Sequence, residues 1–170
     1  MKRFILSHLL IFTLSVAGCA QTKKPSAPPP ASSNQVAVDG SSIDPKKARE
    51  FSDSVVQAIL EDRYGDLRQK MEQAFRDAVS EKDMKPTVEK VYSWYGKPLE
   101  AEFKSEELGY RMYENGERKP LRKYWYAVRT SEHEKGTAFL FTEIVPDGES
   151  LACVQFSIVT FPLGIPPSLR

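Results

Sequence analysis

Chemistry has few places to reside in this chain of 170 residues, which carries two cysteines and two histidines. Cys19 closes the stretch Val16-Ala17-Gly18-Cys19, directly after an apolar run. Cys153 sits in Leu151-Ala152-Cys153-Val154, a strand-like run in which a free thiol behaves as a small buried hydrophobe. His8 lies in the N-terminal apolar run and His133 in Glu132-His133-Glu134-Lys135-Gly136, a turn-like stretch. Beside those carboxylates His133 is a candidate base or metal ligand. A metal site needs several convergent ligands, however, and none is spaced for one, so a solvated turn is the expected setting. Glu143 interrupts the apolar run Phe139 to Val145 and is a candidate buried acid. In an apolar pocket its pKa would rise and it could act as a general base; the alternative is a solvated edge of a sheet. No nucleophile elbow, P-loop or dinucleotide fingerprint occurs. The expectation is no catalytic centre, no metal and no cofactor.

The setting of Cys19 is the most specific signal. Lys2 and Arg3 precede Phe4 to Val16, about thirteen mostly apolar residues, which is too short for a spanning helix of about twenty and fits a secretory leader. Val16-Ala17-Gly18-Cys19 resembles the lipobox of bacterial lipoproteins: an aliphatic residue, two small ones, then cysteine. The resemblance implies that the leader is removed before Cys19, whose sulfur then carries diacylglycerol, and that the new amine is often acylated. Two or three chains hold a protein on a bilayer where one does not, at about 0.8 kcal/mol per buried methylene. A plain leader with a coincidental cysteine is the alternative. Ala20, rather than Asp, resembles the outer-membrane type and implies a protein facing the periplasm. Cys153 is then without a disulfide partner in the mature chain.

Gln21 to Asp44 is rich in Pro, Ser and Ala and lacks aromatics. Such a stretch cannot offset the cost of ordering, so a tether over 19–43 is expected, extended at Pro28-Pro29-Pro30. The chain has 24 basic and 23 acidic residues. Loss of Lys2 and Arg3 with the leader turns the net charge from +1 to −1. A nucleic-acid binder normally carries a basic excess, so that class is set aside.

Aromatic residues supply the remaining signal. Tyr124-Trp125-Tyr126 places large rings on both faces of a strand, because side chains alternate. One face must cover the helices. Trp125, with Phe139 and Phe141 if register allows, would line the other as a partner surface, with Arg122 and Arg129 nearby. A core covered on both sides, with the Pro-rich tail as a candidate cover, is the competing expectation.

These residues must be positioned by elements that the pattern also predicts. Asp44-Pro45 starts a helix, as cap and first helical residue, and Ala48, Phe51, Val55 and Ile59 recur at helical spacing. A break near Tyr64-Gly65 precedes a second stripe, Leu67, Met71, Phe75 and Val79. A third helix from Ser80 carries Met84, Val88, Val91 and Tyr95 and ends at Gly96. From Leu99 the period is two. Four strands follow, with turns at Asn115-Gly116, His133 to Gly136 and Asp147-Gly148. The predicted class is α+β over 44–161: three helices on one face of a curved four-stranded antiparallel sheet, then an irregular tail, 162–170.

The run FSDSVVQAILEDRYGDLRQKMEQAFRDAVS and the exit YGKPLEAEF resemble the cone-shaped ketosteroid-isomerase and nuclear-transport-factor-like superfamily, particularly its lipoprotein-borne members of unassigned function. No isomerase constellation is present, so no catalytic residue carries over. A cystatin-like domain is the alternative fold. The expected function is non-catalytic: an envelope lipoprotein whose domain binds a protein or envelope ligand, or assembles as a homodimer. A small hydrolase or isomerase using a cone-fold cavity is the alternative.

Overall fold

A computed structural model describes residues 40–161. The leader, Cys19, most of the tether and the tail 162–170 lie outside the described residues. The elements are a single 3-10 turn (Gly40–Ser42), four helices, α1 (Pro45–Leu60), α2 (Tyr64–Lys70), α3 (Gln73–Ala78) and α4 (Glu81–Tyr95), and four strands, β1 (Pro98–Met112), β2 (Arg118–Thr130), β3 (Ala138–Asp147) and β4 (Ser150–Thr160). The domain is α+β, with its helices ahead of an antiparallel meander ordered β1-β2-β3-β4.

The start of α1 follows from its first residues. The Asp44 carboxylate accepts from the Lys46 and Lys47 amides at 2.9 and 3.0 Å, while Pro45 spends no donor at a position that needs none. Ile43, predicted as tether, belongs to the core at 5 % exposure.

Four helices stand where three are expected. The first break falls at Glu61–Arg63, earlier than Tyr64-Gly65, and turns on Asp62 at φ +55°, a conformation that short polar side chains tolerate. The second divides the stripe from Leu67 to Val79. Met71 is extended and buried, and the Glu72 amide donates to the Cys153 carbonyl at 3.0 Å. Docking on β4 thus replaces one helical turn. Arginines take up carbonyls around this break: Arg68 Nε donates to the Val79 oxygen at 2.6 Å, and Arg76 donates to the Met71 oxygen.

Gly96 ends α4 at φ +77°. A Cβ there would lie 2.7 Å from Thr130 Oγ1 and 2.8 Å from the Glu132 nitrogen. Thr130 explains the crowding: its hydroxyl donates to the Tyr95 carbonyl at 2.8 Å and accepts from the Glu132 and His133 amides at 3.1 and 3.0 Å. One side chain therefore joins the end of α4, the end of β2 and the following turn.

Alternation sorts the sheet. Tyr124, Tyr126 and Val128 on β2, Leu140 and Ile144 on β3, and Cys153 and Ile158 on β4 pack with Val55, Ile59, Leu67, Met84 and Val88 of the helices. Within this core Ser52 Oγ lies 2.6 Å from the Tyr126 hydroxyl and 2.7 Å from Thr142 Oγ1. The Tyr126 hydroxyl also donates to Asp53 at 2.9 Å. This chain of hydroxyls seats α1 on the two central strands. The Cys153 thiol is fully buried, and burial pushes its pKa up to about 12.

Candidate functional site

The face away from the helices carries Lys123 and Trp125 on β2 and Phe139, Phe141 and Glu143 on β3. Register places Trp125 opposite Phe141 and Lys123 opposite Glu143. The Trp125 and Phe141 rings lie 5.1 Å apart, and Phe161, just past β4, lies 6.4 Å from Trp125 and 5.5 Å from Phe139. Lys123 Nζ sits 4.0 Å from the Phe141 ring centre and 4.8 Å from that of Trp125.

This cluster is closed rather than open. Phe139 and Phe141 are 1 % and 7 % exposed. With Ala127, Trp125, Val159 and Phe161, Phe139 belongs to a second, smaller core. The register brings Trp125 and Phe141 together as the partner-surface reading requires, but the burial of Phe139 and Phe141 matches the competing expectation of a core covered on both sides. Trp125 remains half-buried, and its Nε1 and the cross-strand neighbour Ser105 Oγ have no hydrogen-bond partner among the described residues.

Other candidate residues also have structural work. Tyr124 and Tyr126, at 1 % and 3 % exposure, point beneath the helices and offer no ring to a partner. Burial raises the phenol pKa of both, that of Tyr124 to about 12. Arg122 is buried on the same side. Its Nε donates to the Ile43 carbonyl at 3.0 Å and its Nη1 to Glu106 Oε2 at 3.1 Å, tying the entry to α1 onto the sheet. Arg129 is partly exposed and paired with Glu100 at 2.7 Å. Glu143 is no acid in an apolar pocket: Lys123 and Arg111 hold its two oxygens, each at 3.4 Å. His133 lies in the turn after β2, partly exposed. Among the described residues no three His, Cys, Asp or Glu side chains converge as metal ligands.

Between α3, α4 and β4 lies a cleft of roughly 200 Å³, lined by Met71, Phe75, Met84, Thr87, Val91, Val154, Gln155 and Phe156. Val154 is the extra residue where the β3–β4 register slips, between the pairs Glu143–Gln155 and Ile144–Cys153. The lining offers one hydroxyl and one amide amid apolar groups, and no acid or base.

The open apolar surface lies elsewhere. The β1–β2 hairpin continues past the last β2–β3 pair, Arg122–Ile144, to Met112–Arg118. From the last such row onto this overhang, Leu108, Tyr110 and Met112 follow one another at every second position, 50 %, 51 % and 55 % exposed. They lie on the side that carries Arg122 and Tyr124 under the helices, so the stripe prolongs the inner face beyond its cover. Arg118 lies 5.0 Å from the Tyr110 ring centre. Sequence reasoning proposes none of these three residues as a partner surface. The available signal is length: strands of 15 and 13 residues beside strands of 10 and 11 must overhang.

These features define an α+β domain with a helix-covered meander sheet and one bare apolar stripe on its first strand. Comparison with family models, curated proteins and solved structures gives no match.

Proposed function

We propose that the chain is a lipid-anchored bacterial envelope protein whose α+β domain is a non-catalytic binding and assembly module. The leader and Val16-Ala17-Gly18-Cys19 support the anchor, with diacylglycerol on Cys19 and Ala20 favouring the outer membrane and a domain facing the periplasm. The order of helices before a meander sheet, packed on one sheet face, supports a cone-like domain, with a cystatin-like one as the alternative. The partner is a protein or envelope ligand. The observation that carries the binding reading is the line of Leu108, Tyr110 and Met112, each at least half exposed, on a strand at the edge of the sheet. Exposed apolar residues aligned on a sheet edge mark an interaction surface or an aggregation hazard.

The anchor and the surface are tested separately. Cys19→Ala moves the chain from the membrane fraction to the soluble periplasm; retention in the membrane refutes the lipid anchor. For the surface, a photo-crosslinking residue in place of Tyr110 yields discrete adducts in intact cells, whereas one in place of exposed Lys82 on α4 does not. Absence of adducts at Tyr110 refutes the binding surface.

A further inference from the structure

We infer that the occupant of the β1 edge is a second copy of this chain, paired antiparallel through Ser105 to Tyr113 about a two-fold axis at Gly109. This rests on the reading of the Leu108–Met112 stripe as an interface and names its partner.

The two halves of β1 differ in a way that only some edges require. Natural edge strands are protected by charge and by bulges. The near half has both: Glu100, Glu102 and Lys104 are exposed, and register shifts occur around Leu99 and Lys104. From Ser105 to Met112 the register is unbroken, and three of the four exposed large apolar residues of β1, Leu108, Tyr110 and Met112, lie there, Leu99 being the fourth. The opposite edge of the sheet, β4, is partly occupied, since Met71 bridges to Cys153. Among the described residues the far half of β1 has no strand beyond it.

The sequence of this half complements itself. With two antiparallel copies centred on Gly109, Leu108 of each copy stands opposite Tyr110 of the other, on the apolar side. On the other side Glu107 of each stands opposite Arg111 of the other. Each contact occurs twice, as an isologous interface requires, and directly opposed side chains are the pairs that stabilise a sheet. Glu107 is exposed and has no ion-pair partner within the described domain. Arg111 reaches Glu143 through one nitrogen at 3.4 Å, which leaves further guanidinium donors for a second carboxylate. Neighbouring registers lose this match. A centre at Leu108 sets Glu107 against Gly109, and a centre at Tyr110 sets Glu106 against Glu114, two like charges.

Gly109 supplies a direct probe. A Cβ there meets only Leu121 Cδ2 at 3.9 Å, an ordinary contact, so Gly109→Cys fits the fold. Opposed residues in an antiparallel pair are close enough for a disulfide. In the full-length chain in native membranes, mild oxidation of Gly109→Cys gives a covalent dimer. Neither the unsubstituted chain, which controls for Cys19 and Cys153, nor Leu99→Cys does so. In sedimentation of the detergent-solubilised chain, Glu107→Arg or Arg111→Glu alone weakens self-association about tenfold, because two cross-strand ion pairs become like charges. Glu107→Arg with Arg111→Glu restores it to within about threefold, since the pairs re-form in exchanged positions. No Gly109→Cys dimer, charge swaps without effect, or a double swap no better than the singles each overturns the pairing. A monomeric chain that still gives Tyr110 adducts with other molecules overturns self-pairing while leaving the binding surface standing. A monomeric chain without adducts overturns both.

Discussion

Ser52 is where the seating of α1 can be measured. Its hydroxyl is fully buried and contacts Tyr126 and Thr142 at 2.6 and 2.7 Å. Ser52→Ala removes both bonds, at about 1 kcal/mol each. The Tyr126 hydroxyl keeps Asp53, but the Thr142 hydroxyl, also fully buried, is left without its Ser52 partner at a further cost of about 1 kcal/mol. The expected loss is about 3 kcal/mol. Thr142→Val substitutes a methyl for the hydroxyl and leaves Ser52 bonded to Tyr126, so it costs about 1 kcal/mol. Combining the two removes the stranded hydroxyl. The double variant should lose about 2 kcal/mol, roughly 2 less than the sum of the singles. Equilibrium urea unfolding followed by circular dichroism reads this directly. With a slope of about 1.5–2 kcal/mol/M for a domain of this size, Ser52→Ala lowers the midpoint by about 1.5–2 M. Strict additivity, or a loss below about 1 kcal/mol for Ser52→Ala, would refute the argument that the hydroxyls act as one network.

Alkaline pH should unfold the domain through its buried phenols. Burial raises Tyr64 and Tyr124 to about 12, and Tyr126 and Tyr92 are raised as well. The folded state therefore holds more protons than the unfolded chain above pH 10, and stability is full below about pH 10 and falls towards pH 12. A urea midpoint that stays level across that window would contradict this. Gly96→Ala should cost at least about 2 kcal/mol, because it combines a positive φ with a methyl driven into Thr130 and the Glu132 amide. Thermal unfolding tests it, and a neutral result would mean that α4 and β2 do not meet as closely as described.

Much of the architecture is legible because it is written in local chemistry. Asp44 and Pro45 announce α1, Gly96 ends α4, and Asn115-Gly116 and Asp147-Gly148 place two of the turns between strands. What escapes is decided at a distance. Leu67 to Val79 keeps helical spacing throughout, and only the Cys153 carbonyl, more than eighty residues on, explains why the backbone extends at Met71. Which of the two expectations for the outer aromatic face holds depends on Phe161, whose approach to Phe139 strand alternation alone does not settle. Arg122 is a different case. Alternation alone sets it on one face with Tyr124 and Tyr126, yet its positive charge suggests a solvent-facing role until Ile43 and Glu106 are seen to accept its donors.

The meander makes every strand a neighbour of the next in the chain, so the sheet can zip from short loops. The Ser52 contacts are of another kind, spanning 74 and 90 positions. Closing a loop of that length costs about 1.5 kcal/mol more than closing one a sixth as long. The first helix is therefore made first along the chain and anchored late: its buried stripe has no complete surface to rest on until β2 and β3 have joined.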